Sequence, residues 1–325
     1  VPLTVLSAPP DVRHLVCEVG MNAPGEIEPL ARAVRPDIGV ITSIGTAHIE
    51  ALGSREAIAR EKSALLAHLS NENALPIIPH DEPTLEPVRA RTHNILTVGR
   101  APGADVRLRN ERTTTDRDRP ATAFDIEGET FTVPIPGLHN AANAAIAVAV
   151  GRRLGITDEQ IRDGLARVDP PEYRLAVRAH GDVTIVNDAY NANPESVRAA
   201  LRVFDELAPR EHRRVMVIGS MAELGDHSRA AHEQLADDIR AIAPPDVLFT
   251  IGSGARITHD RAGELMPSAA REHADTLTDE GARRIARSFE PGDTVLLKGS
   301  RTNALERIER ALADITQADA PCSTA

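Results

Sequence analysis

DIGVITSI (37–44), SREAIAREKSALLAHL (54–69) and ALPIIP (74–79) follow one another closely, and their order decides the fold. A β-branched apolar run, a helical pattern opening on Ser54 as an N-cap, and a second apolar run form a strand, a crossover helix and a parallel neighbour. Outward from this unit, HLVCEV (14–19) and NILTV (94–98) supply further strands, and 25–34 and 81–90 supply further helices. The predicted class is α/β with a mostly parallel, doubly wound sheet. Residues 104–136 alternate Val, Leu, Thr and Phe between turn residues at 116–120 and 127–129, which predicts an antiparallel extension of that sheet. GLHNAANAAIAVAVGRRLG (137–155) reads as a small-residue helix, and ITDEQIRDGLARV (156–168) as a second one entered through Thr157 and Asp158.

Pro170-Pro171 excludes a continuing helix and marks the expected boundary between domains at 1–170 and 171–316, with a flexible tail at 317–325. Beyond it, RLAVRAHGDVTIVNDAY (174–190) predicts a hairpin turning at Gly181. RRVMVIGS (213–220), DVLFTIGS (246–253) and DTVLLKGS (293–300) are then apolar strands that each end in Gly-Ser, as in a Rossmann-like sheet. Open α/β sheets place ligands at such strand ends, although glycines there also serve tight turns.

Composition narrows the function. A chain of 325 residues with 42% apolar and 26% charged content is an ordinary globular protein, and a net charge of −11 without a basic cluster argues against nucleic acid or an anionic membrane as partner. No apolar run reaches the roughly eighteen residues that cross a bilayer, so membrane insertion is not expected. No secretory leader pattern opens the chain, so the expected compartment is the cytoplasm. Cys17 and Cys322 offer no metal-ligand spacing and no expected disulfide. The sequence starts at Val1 without methionine, which reads as a start partway through a longer protein.

Only two of the 37 cationic side chains are lysines, Lys62 and Lys298, and a lysine is needed where an amine must shift its pKa or be modified. Glu18, His48 and Lys62 fall at or just beyond neighbouring strand ends, where a carboxylate and an imidazole could share a divalent ion. Lys62, carboxylated by CO2, could add an anionic oxygen. Asn140 and Asn143 lie one turn apart at a helix start, where amides could read a base edge; Asn140 also suits a plain N-cap. Arg174 follows the double proline as their possible partner. NDAYNANPES (187–196) gathers Asp188, Tyr190, Asn191 and Asn193, a polar set suited to orienting a substrate or to building a turn. Lys298, Ser300 and Arg301 make a cationic strand end for a carboxylate or phosphate.

In this order CEVGMNAPGEIEPL (17–30), PDIGVITSIGTAHIEALGS (36–54), the lysine of AREKSALL (59–66), GLHNAANAAIAVAV (137–150), NDAYNANPES, GSMAELGDHSRAAHEQL (219–235) and GDTVLLKGSR (292–301) resemble the Mur ligases. Within that family NDAYNANP and MAELG resemble the branch that joins D-alanyl-D-alanine to a UDP-N-acetylmuramoyl-tripeptide in peptidoglycan precursor synthesis. The resemblance implies a monomeric, ATP- and Mg2+-dependent ligase working through an acyl phosphate, with roles in cell-wall building, cell shape and division. It implies Glu18, His48 and carboxylated Lys62 as the magnesium and catalytic set, and Asn140, Asn143 and Arg174 at the nucleotide. Asp188, Tyr190, Asn191, Asn193, Lys298, Ser300 and Arg301 would serve substrate or phosphate. Ser43 stands where the family has asparagine, and KSAL replaces its KGEI. No G-x-x-x-x-G-K-[ST] loop occurs, so the reading is of a truncated central ATP-binding domain followed by a complete C-terminal one, inactive alone. Alternatives left open are a ligase of the folate-polyglutamylating or cyanophycin type, and a non-catalytic remnant of the nucleotide fold.

Overall fold

The computed structural model describes residues 1–318; the tail expected from 317 falls outside them beyond Ala318, as does Cys322. Two compact units result. One comprises Val1–Arg112, Ala123–Val133 and Leu138–Arg167; the other comprises Thr113–Thr122, Pro134–Gly137 and the chain from Val168 onward.

The first sheet runs in the order β1 (Ile38–Val40), β2 (Leu75–Pro79), β3 (Leu96–Gly99), β4 (Val106–Asp116), β5 (Arg119–Ile126) and β6 (Glu129–Val133). Strands β1 to β4 pair in parallel. Arg117 and Asp118, then Glu127 and Gly128, all take positive φ, as the two-residue turns of antiparallel hairpins require. The helices are α1 (Pro2–Leu6), α2 (Ile27–Val34), α3 (Ile49–Leu52), α4 (Arg55–Ser63), α5 (Glu86–Arg89), α6 (Leu138–Arg153) and α7 (Asp158–Ala166). Ser54 caps α4 by accepting the Ala57 N–H at 3.1 Å, and the helix continues as a 3-10 turn over Ala64–His68. Ile27, Ile41, Ile44, Ile58, Ile78 and Leu85 form the core beneath it. Each fully buried aliphatic side chain of this size contributes about 1.5–3 kcal/mol.

Two expectations differ from what is observed. HLVCEV forms no strand; Leu15 is 43% and Val16 89% exposed. Apolar alternation becomes a strand only when a neighbour completes its hydrogen-bond ladder, and among the described residues this run has none. The helix expected at 81–90 is reduced to a 3-10 turn at Pro83–Leu85 and the single turn of α5, where Pro83 and Pro87 remove backbone donors.

The second unit holds β7 (Ala176–His180), β8 (Val183–Asp188), α8 (Pro194–Leu207), β9 (Arg214–Gly219), α9 (Ser228–Ile242), β10 (Val247–Ile251), α10 (Ala255–Leu265), β11 (Ala270–Ala274), α11 (Asp279–Arg287), β12 (Thr294–Lys298) and α12 (Glu306–Ala318). Its sheet order is β11-β10-β9-β12-β8-β7, parallel except for the β7–β8 hairpin at Gly181. Strand β11, with the sequence AREHA, was not legible. It lies at the sheet edge, half-exposed, and lacks the apolar run of an inner strand. Val215, Val217, Ile251, Val295 and Leu297 build one face of the core, closed by Ile308 and Leu312 of α12.

Candidate functional site

The three Gly-Ser endings meet, since β10, β9 and β12 are adjacent. They form a closed knot around Asn303, which is 8% exposed. Its Nδ2 donates to Ser220 O at 3.0 Å and Ser300 O at 2.9 Å, and its Oδ1 accepts Ser220 N–H at 3.2 Å. A Cβ on Gly299 would lie 2.9 Å from Gly219 Cα, and one on Gly219 would lie 2.8 Å from Asn303 Cγ, so the glycines permit the approach. Ser300 is buried, with its Oγ accepting the Ala222 N–H at 2.8 Å, and Ser220 Oγ accepts Ala255 N–H at 3.0 Å. These hydroxyls tie strand ends to loops.

Lys298 turns inward. Its side chain is 2% exposed, and its Nζ lies 2.6 Å from Asp188 Oδ2 and donates to Asn191 O at 2.7 Å. Burial pushes the Asp188 carboxyl up and the Lys298 ammonium down, each opposed by the attraction of the other. The rest of the loop is equally self-contained. Asp188 Oδ1 accepts Leu175 N–H at 3.1 Å, Asn191 Oδ1 accepts Ala192 N–H at 2.8 Å, and Asn193 caps α8 through Ser196 N–H at 2.8 Å with Pro194 following. Four of the polar residues expected at a substrate, Asp188, Asn191, Asn193 and Lys298, thus shape the loop that presents Tyr190, which is 47% exposed.

Arginine and tyrosine gather beside that loop. Arg174 stacks on Tyr190 with its Cζ 4.2 Å from the ring centre, and Arg301 lies over Tyr173 at 5.5 Å. Tyr190 N–H donates to Tyr173 O at 3.0 Å, and Arg310 Nη2 donates to the Tyr173 hydroxyl at 3.2 Å. Tyr173 and Leu175 hold φ of 63° and 52°. The left-handed conformation costs a residue with a Cβ about 1–2 kcal/mol, so tertiary bonds must hold it. Tyr173 and Arg310 were missed in the sequence, where their only signal is tyrosine scarcity: the chain has two, and both are here.

In the first unit, Lys62 sits in the last turn of α4 and donates from Nζ to Ser43 O at 2.8 Å; burial holds its ammonium below the ordinary lysine value. His48 takes a left-handed φ of 62° at the start of α3. Glu18 is exposed in the stretch that forms no strand. The carboxylate whose charge meets His48 is Glu26, held below its usual range chiefly by the backbone N–H groups of Asn22 and Ala23. Glu61, beside Lys62, accepts the N–H groups of Gly25 and Ile27, both at 2.9 Å. Among the described residues no three His, Cys, Asp or Glu side chains group to hold a metal ion. Asn140 and Asn143 occupy the first turns of α6, with Asn143 exposed.

His232 stabilises the loop that follows β9 in the second unit. Fully buried, it donates from Nδ1 to Ser228 O at 2.8 Å and accepts Met221 N–H at Nε2, 3.1 Å away, which fixes the neutral ring. Burial lowers its pKa. Below pH about 6.5 the unfolded chain takes up a proton that the folded one refuses, so the contribution of His232 is complete above that pH and is lost as pH falls. Urea unfolding from pH 7.5 to 5.5 should show His232→Gln to be less stable at pH 7.5 but with a shallower loss toward acid. An unchanged slope would contradict this.

Comparison with known proteins places these features among relatives. Residues 1–151 match the Mur ligase middle domain, and 173–301 match the family model described as Mur ligase, glutamate ligase domain. The UDP-N-acetylmuramoyl-tripeptide–D-alanyl-D-alanine ligase of Bacillus subtilis is 33% identical over 96% of this chain and 66% of its own length. The ligase of the same name from Escherichia coli K12 is 30% identical over 96% of this chain and 68% of its own. The chain thus spans about two thirds of the length of these relatives, slightly less for the first. The solved MurF ligase of Thermotoga maritima in complex with ADP is 26% identical, with a TM-score of 0.76 covering 93% of this chain and 67% of that one.

Proposed function

The chain belongs to the Mur ligase family, and on that basis we propose that it forms the central and C-terminal parts of an ATP-dependent ligase joining D-alanyl-D-alanine to a UDP-N-acetylmuramoyl-tripeptide. The observation carrying this reading is the likeness, across nearly the whole chain, to two ligases of that name. In this reading the protein is a cytoplasmic monomer that builds peptidoglycan precursor and so serves cell shape and division. Among the described residues no helix is long and apolar enough to cross a membrane.

A carboxylate is a poor acyl donor. Phosphoryl transfer from ATP converts it to an acyl phosphate and releases ADP, the neutral amine of the dipeptide attacks the acyl carbon, and phosphate leaves with the C–O electrons while the nitrogen gives up a proton to solvent as the amide forms. In the first unit Asn143 offers an exposed amide for the nucleotide. Lys62 would be the lysine that takes up CO2. Its lowered pKa enlarges the share of neutral amine, the form that adds to CO2.

Because these 325 residues contain no G-x-x-x-x-G-K-[ST] loop to cradle the β- and γ-phosphates, the chain by itself should not turn over ATP. The test measures phosphate release dependent on D-alanyl-D-alanine, with this chain alone and with it joined to the preceding third of a relative. Activity restored only in the joined protein is expected. Turnover by the short chain, or a joined protein that prefers glutamate, would refute the proposal.

A further inference from the structure

Glu309 of α12 carries a carboxylate that is only 7% exposed, and each group it is bonded to is a donor. Its Oε1 accepts from Arg178 Nη1 at 3.2 Å and from His180 Nε2 at 3.1 Å, and its Oε2 accepts from the Asn187 amide. A carboxylate only accepts, so His180 carries its proton on Nε2 and Asn187 turns Nδ2 toward α12. The oxygen of the same amide then faces the other way, where it accepts the Ala189 N–H at 3.1 Å; Asn187 and Ala189 are both buried. Arg178, His180 and Asn187 share the face of the β7–β8 hairpin on which Ile308 and Leu312 of α12 pack, whereas the next residue, Asp188, points to Lys298.

We propose that Glu309 is a positioning residue for the Asp188–Asn193 loop: by accepting from Asn187 Nδ2 it sets which end of that amide meets Ala189, and so fixes the first bend of the loop. What the loop serves rests on the ligase reading; the lock itself does not. An amide has one donor end and one acceptor end, so its two neighbours are coupled. A donor placed at 309 reverses Asn187, and the reversed amide points N–H at the N–H of Ala189, which is too deeply buried to turn to water instead. Glu309→Gln keeps the shape and makes this reversal. Its single carbonyl oxygen is drawn to the Arg178 guanidinium and the His180 N–H, which leaves the side-chain nitrogen facing Asn187. Adding Asn187→Asp restores every bond. The nitrogen at 309 donates to one oxygen at 187, the other oxygen accepts the Ala189 N–H, and the cluster keeps its net charge.

Hydrogen–deuterium exchange of the 325-residue chain, read over residues 188–193, tests this. Glu309→Gln should speed exchange in the loop about tenfold, the effect of one lost buried hydrogen bond, and the double variant should return it to within about twofold of the parent. A carboxylate needed only to answer Arg178 and His180 would behave differently: Asn187→Asp restores nothing to either donor, so the two losses would add. Arg178→Gln, which removes a charge but keeps the Asn187 bond, should leave exchange in the loop unchanged. In the joined protein of the phosphate-release assay, Glu309→Gln should raise the KM for D-alanyl-D-alanine about tenfold and leave that for ATP alone, with the double variant restored. Parental exchange in Glu309→Gln, or a double variant no better than that single one, would overturn the lock. If Glu309→Gln does not fold, a folded double variant upholds the lock and an unfolded one overturns it. A joined protein without ligase activity, beside the expected exchange pattern, would overturn the ligase reading and leave the lock standing.

Discussion

Lys298→Met is expected to destabilise the second unit by about 3–5 kcal/mol, because it strands the Asp188 carboxylate in a buried place without its counter-ion. The wild-type pair is close, at 2.6 Å, and the ammonium also closes the loop through Asn191 O. Asp188→Leu alone should be similarly damaging, since it strands the ammonium. The double variant should recover much of the loss, as apolar residues of matching volume roughly equal a buried ion pair in stability. Urea unfolding of both single variants and the double decides it, and simple addition of the two losses would count against the account. pH gives a second check. In Lys298→Met the Asp188 pKa is raised further above its unfolded value, so the folded state binds the extra proton. The deficit should therefore shrink toward pH 4–5 and be largest at neutral pH.

Asn303→Asp, a near-isosteric change, should cost roughly 3 kcal/mol or more at pH 7, because it replaces two N–H donors by an anionic oxygen facing the Ser220 and Ser300 carbonyls. The knot around it has no slack: a Cβ on Gly252 would lie 2.4 Å from Ser220 Oγ and 2.8 Å from Asn303 Oδ1. Here too acid should relieve the loss, since a protonated carboxyl can donate one of the two bonds. A variant as stable as the parent at pH 7 would mean that the amide faces the other way.

These two residues also mark what was legible in the sequence. The Rossmann-like sheet and the three converging Gly-Ser ends follow from strand periodicity and turn chemistry, which are local. The direction of Lys298 is not local, because a lysine ending an apolar strand can reach out to a ligand or back to Asp188, and only the packing of β12 against β8 decides. Asn303 and Tyr173 escaped notice for the same reason. Asn303 lies in a 3-10 turn whose meaning comes from strands some 50 and 80 residues earlier in the chain. In the first unit Lys62, His48 and the Ser54 cap were read in their correct elements, whereas Glu18 depended on a strand for which the described residues supply no neighbour. Glu26 and Glu61, which accept backbone N–H groups of residues 22–27, belong to no motif that would single them out.

The chain has no tryptophan, and its two tyrosines lie side by side under arginines in one patch. Its ultraviolet emission excited near 280 nm therefore originates almost wholly from Tyr173 and Tyr190. The molecule carries a built-in optical reporter beside the Asp188–Lys298 loop, and that reporter is silent about the first unit.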